Sequence, residues 1–193
     1  MGAGHGARGP IGANLLCGAG RAAWRCGRSL QEDAMPIAPR LARYLERCGA
    51  HYEVFTHPHS STSAQTARVA HVPEHQLAKS VILEDDAGCV MAVVPADARV
   101  RIGEVARLLG RHDLHLADER RIAELFSDCE VGAVPALGMA WGVETVVDDD
   151  LDQNAEVYIE AGDHEALLRM SGEQFNALMR DAKHGHFSRP DVH

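Results

Sequence analysis

Near the middle of the chain two apolar runs, 81–83 (VIL) and 90–94 (VMAVV), flank the polar turn 84–88 (EDDAG). β-Branched runs of this length bounded by Asp and Gly predict two strands joined as a hairpin. Both runs are nearly continuous rather than alternating, which predicts strands covered on both faces. Lys79 breaks the pattern. It follows Leu77 and Ala78 into the first strand, and with a period of two it shares a side with Val81 and Leu83. A lysine in that position either snorkels to water along its own stem or meets an anion.

The rest of the chain alternates between helical and extended periods. Ile37, Leu41, Tyr44, Leu45 and Cys48 fall at helical spacing, and Gly49 supplies the stop. A short strand over 52–55 leads into His57-Pro58-His59. Thr62 with Gln65 then forms a capping box for a helix that runs to about His71, before Pro73. After the hairpin, Ile102, Val105, Leu108 and Leu109 predict a third helix closed by Gly110. Residues 114–116 read as a strand, and Asp118 caps a helix carrying Ile122, Leu125 and Phe126. Residues 131–138 (VGAVPALG) are apolar but punctuated by glycine and proline, so they predict a shaped loop or strand edge. Strands are expected over 143–147, 157–159 and 166–170. Ser171 with Gln174 opens a last helix through Phe175, Leu178 and Met179. Helices at both ends of many short strands predict a single α+β domain without internal repeats.

Composition narrows the setting. The chain has 193 residues, enough for one domain with an extension. Residues 1–34 are rich in Gly and Ala and carry four arginines against Glu32 and Asp33. Without a core-forming pattern they are expected to be a disordered extension to a domain over 35–183, with Met35 available as a start. Residues 184–193 show no period and are expected to form a flexible tail. The five cysteines are scattered with no CxxC pair, which fits reduced thiols in the cytoplasm and argues against a disulfide framework or a zinc site. No apolar run approaches the ~18 residues of a membrane span. A net charge of −9 is not that of a general nucleic-acid binder.

Most candidate chemistry is excluded by pattern. His57/His59 and His184/His186 have no cysteine or carboxylate at a recognised ligand spacing, so no metal and no cofactor is expected. The run Asp148-Asp149-Asp150 reads as an acidic turn. There is no GxSxG elbow, phosphate-binding loop or GxGxxG. Cys89 and Cys129 lack an evident activating base and read as core. What remains is Lys79, the loop that begins at Gly132, and His164, which follows Gly162-Asp163 at a turn before a strand. Taken singly, each has an ordinary structural explanation. A glycine-rich loop shapes a turn, but it also lets backbone N–H groups approach a ligand closely.

The segments AKSVILED, AVVP, VGAVPALG and AGDH occur in that order over residues 36–183. Together they resemble the YbaK/prolyl-tRNA synthetase-associated domain family, free-standing aminoacyl-tRNA deacylases related to the editing insertion of bacterial prolyl-tRNA synthetase. The resemblance implies an α+β fold with a mixed, barrel-like sheet of about six to seven strands flanked by helices. It implies a site made of a strand lysine, a GxxxP loop and a histidine after a glycine turn, which fall here on Lys79, Gly132 and His164. The loop departs from that pattern. Ala136 stands in the proline's place and Pro135 one position earlier, although Gly138 still closes the loop. The segment Ala133, Val134, Pro135, Ala136, Leu137 and Gly138 is thereby the expected substrate-binding loop.

The implied reaction is hydrolysis of the ester joining a wrong amino acid to the tRNA 3′ end, with alanine on the tRNA for proline as the leading substrate. Cysteinyl, seryl or threonyl esters are the alternatives within the class. A tRNA-end or nucleotide binding module without turnover is the alternative outside it. The implied partners are the aminoacyl-tRNA acceptor end and an aminoacyl-tRNA synthetase. Arg99, Arg101, Arg107, Arg111, Arg120 and Arg121 are the basic residues expected to offset the overall acidity near phosphate.

Overall fold

The structure, a computed structural model, describes residues 37–191, so the expected 1–34 extension lies outside the described residues. The helices are α1 (Pro39–Arg47), α2 (Ser63–Val69), α3 (Ile102–Leu109), α4 (Glu119–Leu125), α5 (Asp149–Asp152) and α6 (Gly172–Leu178). The strands are β1 (Glu53–Thr56), β2 (Leu77–Asp85), β3 (Gly88–Pro95), β4 (Ala98–Val100), β5 (His115–Leu116), β6 (Glu144–Asp148), β7 (Glu156–Glu160), β8 (Ala166–Ser171), β9 (Lys183–Gly185) and β10 (Ser188–Pro190).

The predicted caps form. Thr62 accepts the Gln65 N–H at 3.2 Å, Asp118 that of Arg121 at 2.7 Å and Ser171 that of Gln174 at 3.1 Å. Neither capping box closes on itself, however. The Gln65 side chain accepts from Ser61, and that of Gln174 accepts from His51 at 3.0 Å, tying the approach to β1 onto α6.

Eight strands form one mixed sheet in the order β1-β8-β7-β2-β3-β6-β9, with β5 against β2, while β4 and β10 make a separate ribbon. The mixed sheet flanked by helices is the one expected, with β9, three residues long and without a readable period, added at its edge. The hairpin of β2 and β3 is its centre, paired from Ala78↔Pro95 to Asp85↔Gly88. One face of the sheet carries the main core, including Ala78, Ile82, Met91 and Val93 with Leu41, Leu45 and Phe175 from α1 and α6. The opposite face carries two smaller clusters. One packs Ala67 and Ala70 against Leu77, Ala96, Tyr158 and Leu167, and the other packs Val105 against Leu83, Val90, Val94 and Phe187.

The free edge of β2 is divided between two short partners. Strand β7 pairs with Leu77 and Ala78, and β5 with Leu83 and Glu84, so Lys79–Ile82 has no strand neighbour on that side. The backbone of Ala117 closes the far end by donating to Ile82 O at 3.0 Å. A break of this kind presents backbone and side chains to whatever lies beside the sheet.

Residues 184–191 are not the flexible tail expected from their composition. β9 pairs in parallel with β6, β10 pairs antiparallel with β4, and Phe187 between them is 1% exposed in the second-face core. The backbone of Phe187 donates to Asp148 Oδ2 at 2.8 Å and accepts from Arg101 at 2.7 Å. These partners are distant in sequence, and that is why no local pattern announces them.

Arg111 fastens the central hairpin. Its guanidinium, 12% exposed, grips both oxygens of Asp85 and the carbonyl of Gly88 across the turn. Hydrogen bonding from Arg111 holds the Asp85 carboxyl down at about 2. A carboxyl lowered on folding from its usual ~3.9 stabilises the native state above that pH, and the contribution is lost as pH falls toward 2. Urea midpoints of the wild type and Asp85→Asn should therefore differ at pH 7 and converge between about pH 4 and pH 2. A difference that stays constant down to pH 2 would contradict the pairing.

Candidate active site

Two of the three candidate residues lie side by side. Gly132 has φ +95°, and a Cβ placed on it would lie 3.2 Å from His164 Cε1. Glycine is required twice here, by its backbone angle and by the ring against it. His164 is itself in the left-handed region at φ +61°, uncommon for a residue with a side chain. It is held there by its surroundings. Its backbone carbonyl accepts from Ser60 N at 3.2 Å, and its Nε2 lies 2.8 Å from the carbonyl of Val131. A carbonyl only accepts, so Nε2 carries the proton and the ring latches the start of the loop. The His59 ring meets that of His164 edge-on at 5.4 Å.

The loop runs from Gly132 past the open edge of β2. Ser80 donates to Val134 O at 2.7 Å, and Ala133, Val134, Pro135, Ala136, Leu137 and Gly138 are all buried. Within it Ala133 N donates to Glu130 O and Leu137 N to Pro135 O. The N–H groups of Val134 and Ala136 make no hydrogen bond among the described residues. Buried backbone donors are rarely left without partners; of these two residues Val134 is 6% exposed and Ala136 fully buried.

Lys79 is bonded elsewhere. No hydrogen bond or ion pair joins it to Gly132 or His164 among the described residues, and its ammonium donates to Ala96 O at 3.1 Å. As the period of two predicts, it points away from the main core, between Leu77 and Val81. It thus stands in the seam between the two second-face clusters. Burial lowers its pKa, against the opposing pull of Asp191 and Asp97.

Glu160, which the sequence reading passed over, is beside Lys79 in the register. The pairs Leu77↔Tyr158 and Ala78↔Ile159 end the β2–β7 ladder, and the next residue on each strand, Lys79 and Glu160, faces the same side. Glu160 is buried, and Thr66 donates to its Oε1 at 3.0 Å while Ser60 Oγ lies 2.8 Å from Thr66 Oγ1. Burial raises its carboxyl pKa, opposed by the Thr66 hydrogen bond and by His57 and His164. Its signal in the sequence was of the same kind as that of Lys79: a charge ending an apolar run, VYIE.

The remaining polar clusters lie elsewhere. Asp148, Asp150 and His186, and Asp149, Asp152 and His184, each bring three ligand-type atoms within 4.8 Å. The sequence showed no carboxylate partner for these histidines; the pairing of β9 with β6 brings them to Asp148 and to the acids of α5. Both oxygens of Asp148 already accept backbone N–H groups, and His184 is bonded to Asp152 at 2.9 Å and Met179 O at 3.2 Å. Cys129 is no nucleophile, because burial pushes its thiol up to about 12. Two clefts of about 450 Å³, one lined by Tyr52, Glu53 and Arg169 and the other by Asp86, Arg111 and His112, do not include Lys79, Gly132 or His164. No helix among the described residues is long and apolar enough to cross a membrane.

Comparison with known proteins gives the family. No curated protein matches the chain. A crystal structure described as "a putative trans-editing enzyme for prolyl tRNA synthetase" is 27% identical with a TM-score of 0.68, covering 79% of this chain and 96% of its own. The hypothetical protein APE2540 is 26% identical with a TM-score of 0.69, covering 78% of this chain and 99% of its own. The family model for the aminoacyl-tRNA editing domain matches residues 57–178, which include Lys79, the Gly132 loop and His164. The chain belongs to the aminoacyl-tRNA editing domain family, and with it to the aminoacyl-tRNA deacylases.

Proposed function

We propose that this protein acts in the cytoplasm, in trans, on tRNA charged with a small wrong amino acid, and that alanine on the tRNA for proline is its leading substrate. The observation that carries the chemistry is the pair of unpartnered N–H groups at Val134 and Ala136, on a loop latched by His164 at Gly132. Fixed backbone donors in a dry site stabilise the oxyanion of ester hydrolysis without reorganising. An aminoacyl ester is already activated, so a positioned water suffices and no covalent nucleophile is needed. His164 orients the adenosine end or the attacking water. Lys79 supplies positive charge to the terminal phosphate or the developing oxyanion. Buried Ala133 and Ala136 keep the loop close to the core, which supports a pocket for a small side chain that a proline ring overfills. A second, hydrolytic sieve is useful where apolar synthetase pockets discriminate poorly between small side chains.

The basic patch expected for tRNA is largely neutralised. Arg99 pairs with Asp191, Arg101 and Arg107 with Glu104, Arg111 with Asp85, Arg120 with Glu124, and Arg121 with Glu84 and Glu124. Arg40, Arg43 and Arg47 on the exposed side of α1 make no ion pair among the described residues. The residue before this helix, Ala38, donates to Ala161 O at 2.8 Å near the His164 turn, which supports α1 as the acceptor-end contact.

Lys79→Ala is expected to lower kcat/KM by at least ~10²-fold, the loss typical of one oxyanion-type donor. The fold should persist, since among the described residues the amine makes a single hydrogen bond, to Ala96 O. The check is release of labelled amino acid from mischarged tRNA at equal folded concentration. Equal rates for the two proteins would remove Lys79 from the mechanism.

A further inference from the structure

Glu160 and His57 are buried polar residues left without a task by the reaction above. Glu160 is 4% exposed and its Oε2 has no hydrogen-bond partner among the described residues. His57 is 8% exposed and its Nε2 has none either. The Nδ1 of His57 lies 2.8 Å from Pro58 O, so the proton of the neutral ring is on Nδ1 and Nε2 is a lone pair. The same argument holds for His164, whose Nε2–H is committed to Val131 O, leaving Nδ1 as an acceptor. No ion pair or hydrogen bond links either ring to the Glu160 carboxylate among the described residues. With both rings neutral, the site gathers acceptors around one negative charge; among the described residues the Thr66 hydroxyl on Oε1 is the donor bonded to them, the Lys79 ammonium being bonded to Ala96 O.

Water could donate to two of these atoms, but it would leave the buried carboxylate uncompensated. A primary ammonium has three N–H donors, no acceptor and the missing charge. An aminoacyl ester carries one on the carbon next to its carbonyl, and the loop proposed to receive that carbonyl begins at Gly132, beside His164. We propose that Glu160, together with His57, holds the α-ammonium of the bound aminoacyl group, so that the enzyme takes esters with a free α-amine and rejects N-acylated or deaminated ones. Glu160 is a specificity-determining residue in this account, which rests on the deacylase reading of the same site. Burial, with a smaller push from Asp163, raises the Glu160 carboxyl, and a cation beside it favours the ionised form.

The test compares alanyl-tRNA with lactyl-tRNA, in which a hydroxyl replaces the ammonium. Wild type should hydrolyse the lactyl ester about 10- to 100-fold less efficiently, the range for losing a hydrogen bond to a charged group. Glu160→Gln, which keeps a partner for Thr66, should lose the same factor on alanyl-tRNA and bring the ratio of the two esters near one. Equal wild-type rates on both esters would overturn the proposal without any variant, and so would an equal loss on both in Glu160→Gln. A second measurement titrates the full chain with the amide analogue of alanyl-adenosine and with its N-acetyl form. Binding of the free amine only, abolished in Glu160→Gln, is expected. If neither ester is hydrolysed but this preference appears, the deacylase reading fails and the ammonium site stands. If both esters are hydrolysed alike and the analogues bind alike, the reverse holds.

Discussion

Gly132→Ala is expected to lower kcat/KM by ~10²–10³-fold while the protein remains folded. Alanine at φ +95° is strained, and its methyl carbon would stand 3.2 Å from His164 Cε1 and 3.9 Å from Ser61 O. The cheapest relief is movement of the loop or of the imidazole, and either one releases the contact between His164 and Val131 O. The N–H groups of Val134 and Ala136 then lose their fixed aim, and preorganisation is the property that makes such donors catalytic. The stability cost is that of one residue forced to positive φ, roughly 1–2 kcal/mol. Single-turnover hydrolysis alongside a melting curve separates the two effects. A variant that melts earlier but hydrolyses at the wild-type rate would show that the loop is structural only.

The second large effect concerns stability. Phe187→Ala is expected to cost about 3–5 kcal/mol, the range for removing a buried aromatic side chain from a core. Phe187 packs with Val90, Val94, Val105 and Val146 on the second face, and its neighbours carry both short strands of the C-terminal segment. For a domain of this size the melting temperature should fall by roughly 10 °C. Deleting residues 184–193 should cost at least as much. A deletion that leaves the melting temperature unchanged would restore the flexible tail that composition suggested.

The central hairpin, the helices and their caps were legible because their signals are local: a strand run, a helical period, an Asp, Ser or Thr three residues before a free N–H. Lys79 stood out for the same reason, as a charge in an apolar run. The C-terminal strands were not legible. A three-residue strand has no period to read, and β9 and β10 owe their order to β6 and β4, far away in the chain. The arginines show the converse limit. Sequence displays their charge but not that Asp85, Glu104, Glu124 and Asp191 already occupy it. Gly132 and His164 were singled out through resemblance to a family, and the structure adds that they lie side by side. Glu160 could have been singled out by the same logic as Lys79, but nothing local to VYIE tells that Thr66 and two histidines surround it.

The account is tested most directly by release of labelled amino acid from tRNA pre-charged with alanine, cysteine, serine, threonine or proline, with the full-length wild-type chain. It predicts rapid release of alanine from the tRNA for proline, slower release of the other small residues, and prolyl-tRNA spared. Absence of turnover across the whole panel would contradict it and leave a binding module with the fold of an editing domain.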